Sequence, residues 1–359
     1  MLVSFLAGSA VAAARGPAGK QTVPPALPDD RAGVRRLLSS LGGGFRATTT
    51  THFVVVSDVE APRVDRLGRI AESTLTDVTA FADRLGLPLN PPPAKMCVLF
   101  FNRRSDYAGH ARRAGFHVGE VVPGFFAEQQ NRCLIFNYAN AGPLRAKRAD
   151  LKRIKAELVD QRRRGGTPEA QAVIDRRHRR IREIESRIRI YEDLITKTVV
   201  RHEIAHQVLF NYGLQPRGAS NPRWLREGLA MQFEAPAGVN RHRMEDFLAL
   251  DRAGLRLNLR DLIADPEYLG PGAADLPGRY AAAWALVHRL VHERPRALAA
   301  YLEISSRPAA TGEPVVPEAA KFQATFGKLD TAFERKLVTY VEALSRQPTS
   351  TASTPAGER

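Results

Sequence analysis

The chain has 359 residues, 44% of them hydrophobic and 25% charged, which rules out a fibrous, collagen-like or wholly disordered protein and leaves room for one large core or two modest ones. Lysine and arginine number 53 against 38 aspartate and glutamate, a formal charge of +15 that raises nucleic acid or another anionic surface as a partner until the charge is located. With only Cys97 and Cys133 present, a disulfide framework or a multi-cysteine zinc module is excluded, and one disulfide is allowed.

Residues Leu2 to Ala14 form an apolar run too short to span a bilayer but of the length of a signal-peptide core, ending in alanines where an A-x-A cleavage site fits before Arg15. No lysine or arginine precedes it, so the usual basic start is missing. The reading is an exported chain with signal peptide 1–15 and a linker 16–45 containing Pro17, Pro24, Pro25 and Pro28, and without a transmembrane anchor once the signal is removed; a cytoplasmic chain is the alternative. At the other end, residues 347–359 are Ser/Thr/Pro-rich and read as a disordered tail.

Between these ends, His52 to Ser57 is a β-branched run and therefore a strand, followed by helical periodicity from Arg63 to Leu85. Met96 to Phe101 is a second strand and Ser105 to Ala114 a short helix. Gly124 to Ala127 and Arg132 to Asn137 read as a hairpin across a polar EQQN turn. From Pro143 to Thr196 two helical stretches, with Leu151, Ile154 and Leu158 on one and Ile174, Ile181, Ile184 and Ile188 on the other, flank a Gly165-Gly166-Thr167-Pro168 break, which predicts a helical hairpin. Leu144 to Asp193 carries 16 Lys/Arg and 9 Asp/Glu, so this hairpin alone holds +7 of the excess. It lacks aromatic residues interleaved for stacking on bases, apart from Tyr191, so nucleic acid loses support; a solvated projection or an arm for an anionic polymer or protein partner are the two readings.

The chemistry lies immediately beyond. His202 and His206 are four apart, so on a helix both project from one face and can reach one zinc ion, with Glu203 placed beside the metal to take a proton from its water. A third ligand is required, and a carboxylate on a second helix is a standard solution. Twenty-one residues after His206, Glu227 sits within an apolar-faced stretch, residues 222–235, whose Trp224, Leu225, Leu229, Ala230 and Phe233 supply the buried side, with a turn-rich loop before it. Glu234 is a substitute ligand or the partner of a histidine N–H. Helices are further expected at 197–210, 279–292, 295–305 and 319–344.

His202-Glu203-x-x-His206, Trp224-Leu225-x-Glu227-Gly228-Leu229-Ala230 and Tyr280 to Val287 (YAAAWALV) resemble the gluzincin metallopeptidases, most closely a bacterial peptidase-MA-like family whose domain is often described as of unknown function. The resemblance covers about residues 50–140 and 197–305, with the basic hairpin 143–196 inserted. It implies an α+β, zincin-like fold spanning 46–142 and 197–346: a small mixed sheet, an active-site helix and a helical C-terminal half. It also implies zinc as cofactor, His202, His206 and Glu227 as ligands, Glu203 as general base, and a peptide or protein substrate. A Tyr or His from the downstream helices donates to the developing oxyanion in gluzincins, which makes Tyr280 the first choice and His288 the second. His288 and His292 repeat the four-residue spacing without an acidic neighbour, and no second metal is expected there. In zincins an extended substrate often lies along an edge strand, for which Gly124 to Ala127 is the candidate, Phe125 and Phe126 being equally suited to the core. The alternative from another class is a catalytically idle relative kept as a binding module, its hairpin docking onto an anionic polymer or a protein.

Overall fold

The structure is a computed structural model that describes residues 25–116, 118–119, 122–216, 221–235, 239–255, 258–270, 275–307 and 316–347. The expected signal peptide and nearly all of the expected tail lie outside the described residues. The chain is mixed α+β, mostly helical with one small mixed sheet, and divides into two compact units.

The first unit holds Asp29–Ile70 and Met96–Val200. It begins inside the expected linker with a helix, α1 (Arg31–Leu41), because Asp30 accepts the Gly33 N–H at 2.8 Å and Leu37 finds a buried place. Strand β1 (Arg46–Thr49) and strand β2 (Phe53–Ser57) pair antiparallel; β2 is buried throughout, as its unbroken β-branched run requires. Helix α2 (Ala61–Leu85) leads to β3 (Met96–Phe101), parallel to β2, and α3 (Arg104–Arg113) precedes the hairpin of β4 (Gly124–Ala127) and β5 (Arg132–Phe136). Asn131 at φ 51° turns that hairpin, a left-handed conformation that asparagine tolerates. The sheet order is β1-β2-β3-β5-β4, with β3 and β5 parallel. One face, Val54, Val56, Leu99, Phe101, Leu134 and Phe136, packs with Leu37 of α1 and Tyr107 of α3. Strand β4 is an edge strand, and Phe125 packs against this core, its ring 4.9 Å from that of Phe116 and tilted to it by 45°. Cys97 and Cys133 lie on neighbouring strands but are offset by one position, Cys97 opposite Arg132 and Cys133 opposite Val98. Successive side chains point to opposite faces, so the two remain free thiols, that of Cys97 pushed up to about 11 by burial.

The helical hairpin forms from α4 (Gly142–Arg163) and α5 (Pro168–Asn211), closed by Leu151, Leu158, Ile174 and Ile181. Many of its charges answer one another: Lys155 meets Glu185 at 2.6 Å, Arg162 meets Asp175 at 3.4 Å, and Arg148 is bonded to the buried Glu192. The separate active-site helix expected at 197–210 does not exist as such. Its residues are the last turns of the 44-residue α5, because nothing between Glu169 and Asn211 is glycine or proline and the helix has no reason to stop.

The second unit takes Ala71–Lys95 and the chain from Arg201 onward. Here lie α6 (Arg223–Gln232), α7 (Arg241–Arg252), α8 (Leu259–Ala264), α9 (Leu276–Glu293), α10 (Pro295–Ser305), α11 (Glu318–Phe326) and α12 (Thr331–Ser345). Residues Ala281 to Val287 of α9 are fully buried, which makes α9 the hub of this unit. At Gly228 of α6 an added Cβ would lie 2.8 Å from the Ala283 carbonyl and closer still to a Val287 methyl, so only glycine allows the observed approach. Trp224, Tyr301, Phe322 and Phe326 interlock as an aromatic cluster. The single helix expected over 319–344 is two, broken at Gly327 (φ 98°) and restarted where Asp330 accepts the N–H groups of Ala332 and Phe333. No helix among the described residues is long and apolar enough to cross a membrane.

Candidate metal centre

The last turns of α5 place His202 and His206 on one face, their Nε2 atoms 3.1 Å apart and their rings nearly perpendicular at 82°. Helix α6 brings Glu227 across from them. Its Oε2 lies 3.3 Å from Nε2 of His202 and 3.5 Å from Nε2 of His206. Ligands about 2.0–2.1 Å from a tetrahedral zinc lie about 3.3–3.4 Å from one another. The three observed separations bracket that edge, and the donor set, two imidazoles and a carboxylate, is a type catalytic zinc uses. Among the described residues this is the one His/Cys/Asp/Glu cluster close enough for a shared metal ion.

The surroundings orient these groups. Burial works against the charge of Glu227, but the two histidines beside it hold its carboxyl well below the usual range. Glu234 follows the end of α6 and receives the Nδ1 side of His202 at 3.0 Å. This is the second of the roles foreseen for it: a partner of the histidine, not a ligand. Three donors hold Glu234: Arg243 Nε to Oε2 at 3.0 Å, Arg243 Nη2 to Oε1 at 2.8 Å, and Asn240 Nδ2 to Oε2 at 2.6 Å. Burial would raise the Glu234 carboxyl, yet Arg243 and His202 bring it to about 2. Its anion fixes a proton on Nδ1 of His202 and turns Nε2 toward Glu227. Burial disfavours a charge on His202, but bonds to Glu227 and Glu234 and the charge of Glu203 outweigh this and raise it to about 10. Protonated on both nitrogens, His202 bridges the two carboxylates, Nδ1 facing Glu234 and Nε2 facing Glu227.

Glu203, half-buried, is close enough for its charge to act on both His202 and Tyr280. Tyr280 joins this group from α9: burial and the Glu227 charge push its hydroxyl up to about 12, against a hydrogen bond from Arg223 that works the other way. The structure thus brings five of the six expected residues together. His288 is the exception. It lies eight residues along α9 from Tyr280, about 12 Å of helix rise, bonded through Nδ1 to the Tyr340 hydroxyl at 2.8 Å and stacked on His292. Burial, with His292 beside it, lowers His288 to about 3 and keeps it neutral, so it serves the packing of α9 on α12.

Sequence reasoning missed Arg201. Only 2% exposed, it donates to the Phe233 carbonyl at the end of α6, to the Asp77 carboxylate and to Ser73 Oγ on α2, tying the glutamate helix to α5 one residue before His202 and Glu234 meet. Arg243 and Asn240 were missed as well; Asn240 carries a readable signal as the cap of α7, accepting the Arg243 N–H at 3.3 Å.

A family model covers this region. Residues 196–311 match a family described as a protein of unknown function (DUF1570). The match takes in the end of α5 through α10, with all three candidate ligands and Tyr280, and leaves out the sheet and most of the hairpin. No curated protein matches the chain.

Proposed function

We propose that the protein is a zinc-dependent metallopeptidase of the gluzincin type, its His202, Glu203, His206 and Glu227 carried on a zincin-like fold. The observation that supports this most is the size of the His202–His206–Glu227 triangle, with edges of 3.1, 3.3 and 3.5 Å. A bound zinc supplies a polarised water and an electrophile for a peptide carbonyl. His202, His206 and Glu227 hold the metal, and Glu234 keeps His202 in the tautomer that leaves Nε2 free to bind. Glu203 accepts the proton of the attacking water and passes it to the departing amine nitrogen. Tyr280, whose high pKa keeps its hydroxyl protonated, donates a hydrogen bond to the carbonyl oxygen as negative charge builds there. Substrate is a peptide or protein, and the apolar N-terminal run favours an exported enzyme.

Purified protein is expected to hold about one zinc per chain. Glu203→Gln is expected to keep that zinc and lose peptide hydrolysis by at least about 100-fold. A chain that contains no zinc and takes none up on titration sinks the proposal.

A further inference from the structure

Arg223 opens α6 four residues before Glu227, so the two side chains leave the helix on one face, one turn apart. Its charge acts on the Tyr280 hydroxyl, which is near enough to Glu203 and Glu227 to feel those charges as well. Arg223 therefore borders the three-residue cluster directly.

The most deeply buried arginines among the described residues are matched by carboxylates. Arg201 is matched by Asp77 and Arg243 by Glu234. Among the described residues Arg223 has no carboxylate within ion-pair distance, and its Nε, closed to solvent, has no acceptor. A guanidinium does not lose its proton, and a charge withdrawn from water is ordinarily paired. Arg223 is half-buried, so a group arriving from solvent can still reach it. A neutral carbonyl would leave the charge unbalanced, whereas a carboxylate matches both the charge and the planar fork.

We infer that Arg223 is the docking group for a carboxylate of the substrate, beside the triangle of His202, His206 and Glu227. The inference rests on the peptidase reading and narrows it to peptides that present a carboxylate close to the scissile bond. That carboxylate is either the free C-terminus, which makes the enzyme a trimmer of chain ends, or an acidic side chain, which makes it an endopeptidase with acidic preference. The Tyr280 hydroxyl feels both this anchor and the general base, so a carboxylate held at Arg223 would bring the scissile carbonyl toward that hydroxyl.

The test is calorimetric binding to zinc-loaded Glu203→Gln protein, which binds without turnover. Three acetylated tripeptides serve as probes: tri-alanine with a free carboxylate, tri-alanine amide, and an alanine-glutamate-alanine amide. The expected result is about tenfold tighter binding of at least one carboxylate peptide than of the neutral amide. Adding Arg223→Gln should erase that preference, and Arg223→Lys should keep part of it. Which of the two carboxylate peptides binds better assigns the source. Equal binding of all three by the Glu203→Gln protein overturns the inference without needing the second substitution, and so does a preference that survives Arg223→Gln. A chain that binds no zinc would fail the peptidase reading itself, whereas a zinc-loaded hydrolase indifferent to carboxylates fails this inference alone.

Discussion

Gly228→Ala tests whether the approach of α6 to α9 sets the metal triangle. The new methyl would sit 2.8 Å from the Ala283 carbonyl and closer still to a Val287 methyl, and ordinary contact begins at 3.4 Å, so the helices must part by at least about 0.6 Å (3.4 − 2.8). Neither neighbour can swing aside, because Ala283 offers main chain and Val287 is fully buried. Overpacking of this kind costs about 1–3 kcal/mol, and the better helix propensity of alanine returns up to about 1 kcal/mol. A net loss of about 1–2 kcal/mol corresponds to a melting temperature lower by about 2–8 °C for a unit of this size. The same displacement moves Glu227, the preceding residue, by an amount comparable to its tolerance of about 0.5 Å, and zinc affinity should fall at least about tenfold. Thermal melting of the apo protein and competition with a chelating dye read the two effects. Adding Val287→Ala removes one collision but leaves the Ala283 carbonyl, so it should recover only part of each loss. A Gly228→Ala protein that melts and binds zinc like the parent would refute the argument.

The proton on His202 should be released when zinc enters. Near pH 7.5 calorimetric uptake should show a heat that varies with the buffer's ionisation enthalpy, corresponding to at least about one proton; a buffer-independent heat contradicts the bridging proton. Without metal, the folded-state value of about 10 lies above the ordinary histidine value of about 6.5, so the stability it contributes is complete below about pH 6.5 and disappears as pH rises through 10. Apo melting temperature should therefore fall over that window, and His202→Gln should flatten the fall. Arg201→Met leaves the Phe233 carbonyl and Asp77 without their donor; since the Asp77 side chain is 36% exposed, the loss is nearer about 2–3 kcal/mol than the cost of a fully buried pair. Urea unfolding measures it, and a midpoint within error of the parent would remove Arg201 from the account.

Strands β2 and β3 were legible because unbroken β-branched and aromatic runs have one low-energy use, and β3 matches its expected limits, Met96–Phe101. Strand β1, with four exposed residues and two threonines, carries no such pattern, since its pairing with β2 creates it. The proximity of the three candidate ligands was legible for a local reason: metal chemistry would dictate their type and helix geometry their spacing. Glu234 was visible as an acid one step from that pattern. Arg201, Arg223 and Arg243 were not, because arginine is unremarkable in a chain with 53 basic residues. What distinguishes them is burial and partner, which only packing reveals.

From His202 to Arg243 runs a stretch of 42 residues (243 − 202 + 1) that contains the three candidate ligands, the carboxylate behind His202 and both donors that hold that carboxylate. A site assembled from so short a span has little chain entropy to overcome, so its His/Glu cluster can gather loosely early in folding, before α9 docks and sets its final geometry. Zinc captured at that stage would add its binding free energy to a half-formed structure, acting first as a folding nucleus. Tyr280, reaching the site from outside the span, would complete it only when α9 docks, so metal retention and catalytic competence should appear as two separable events during refolding.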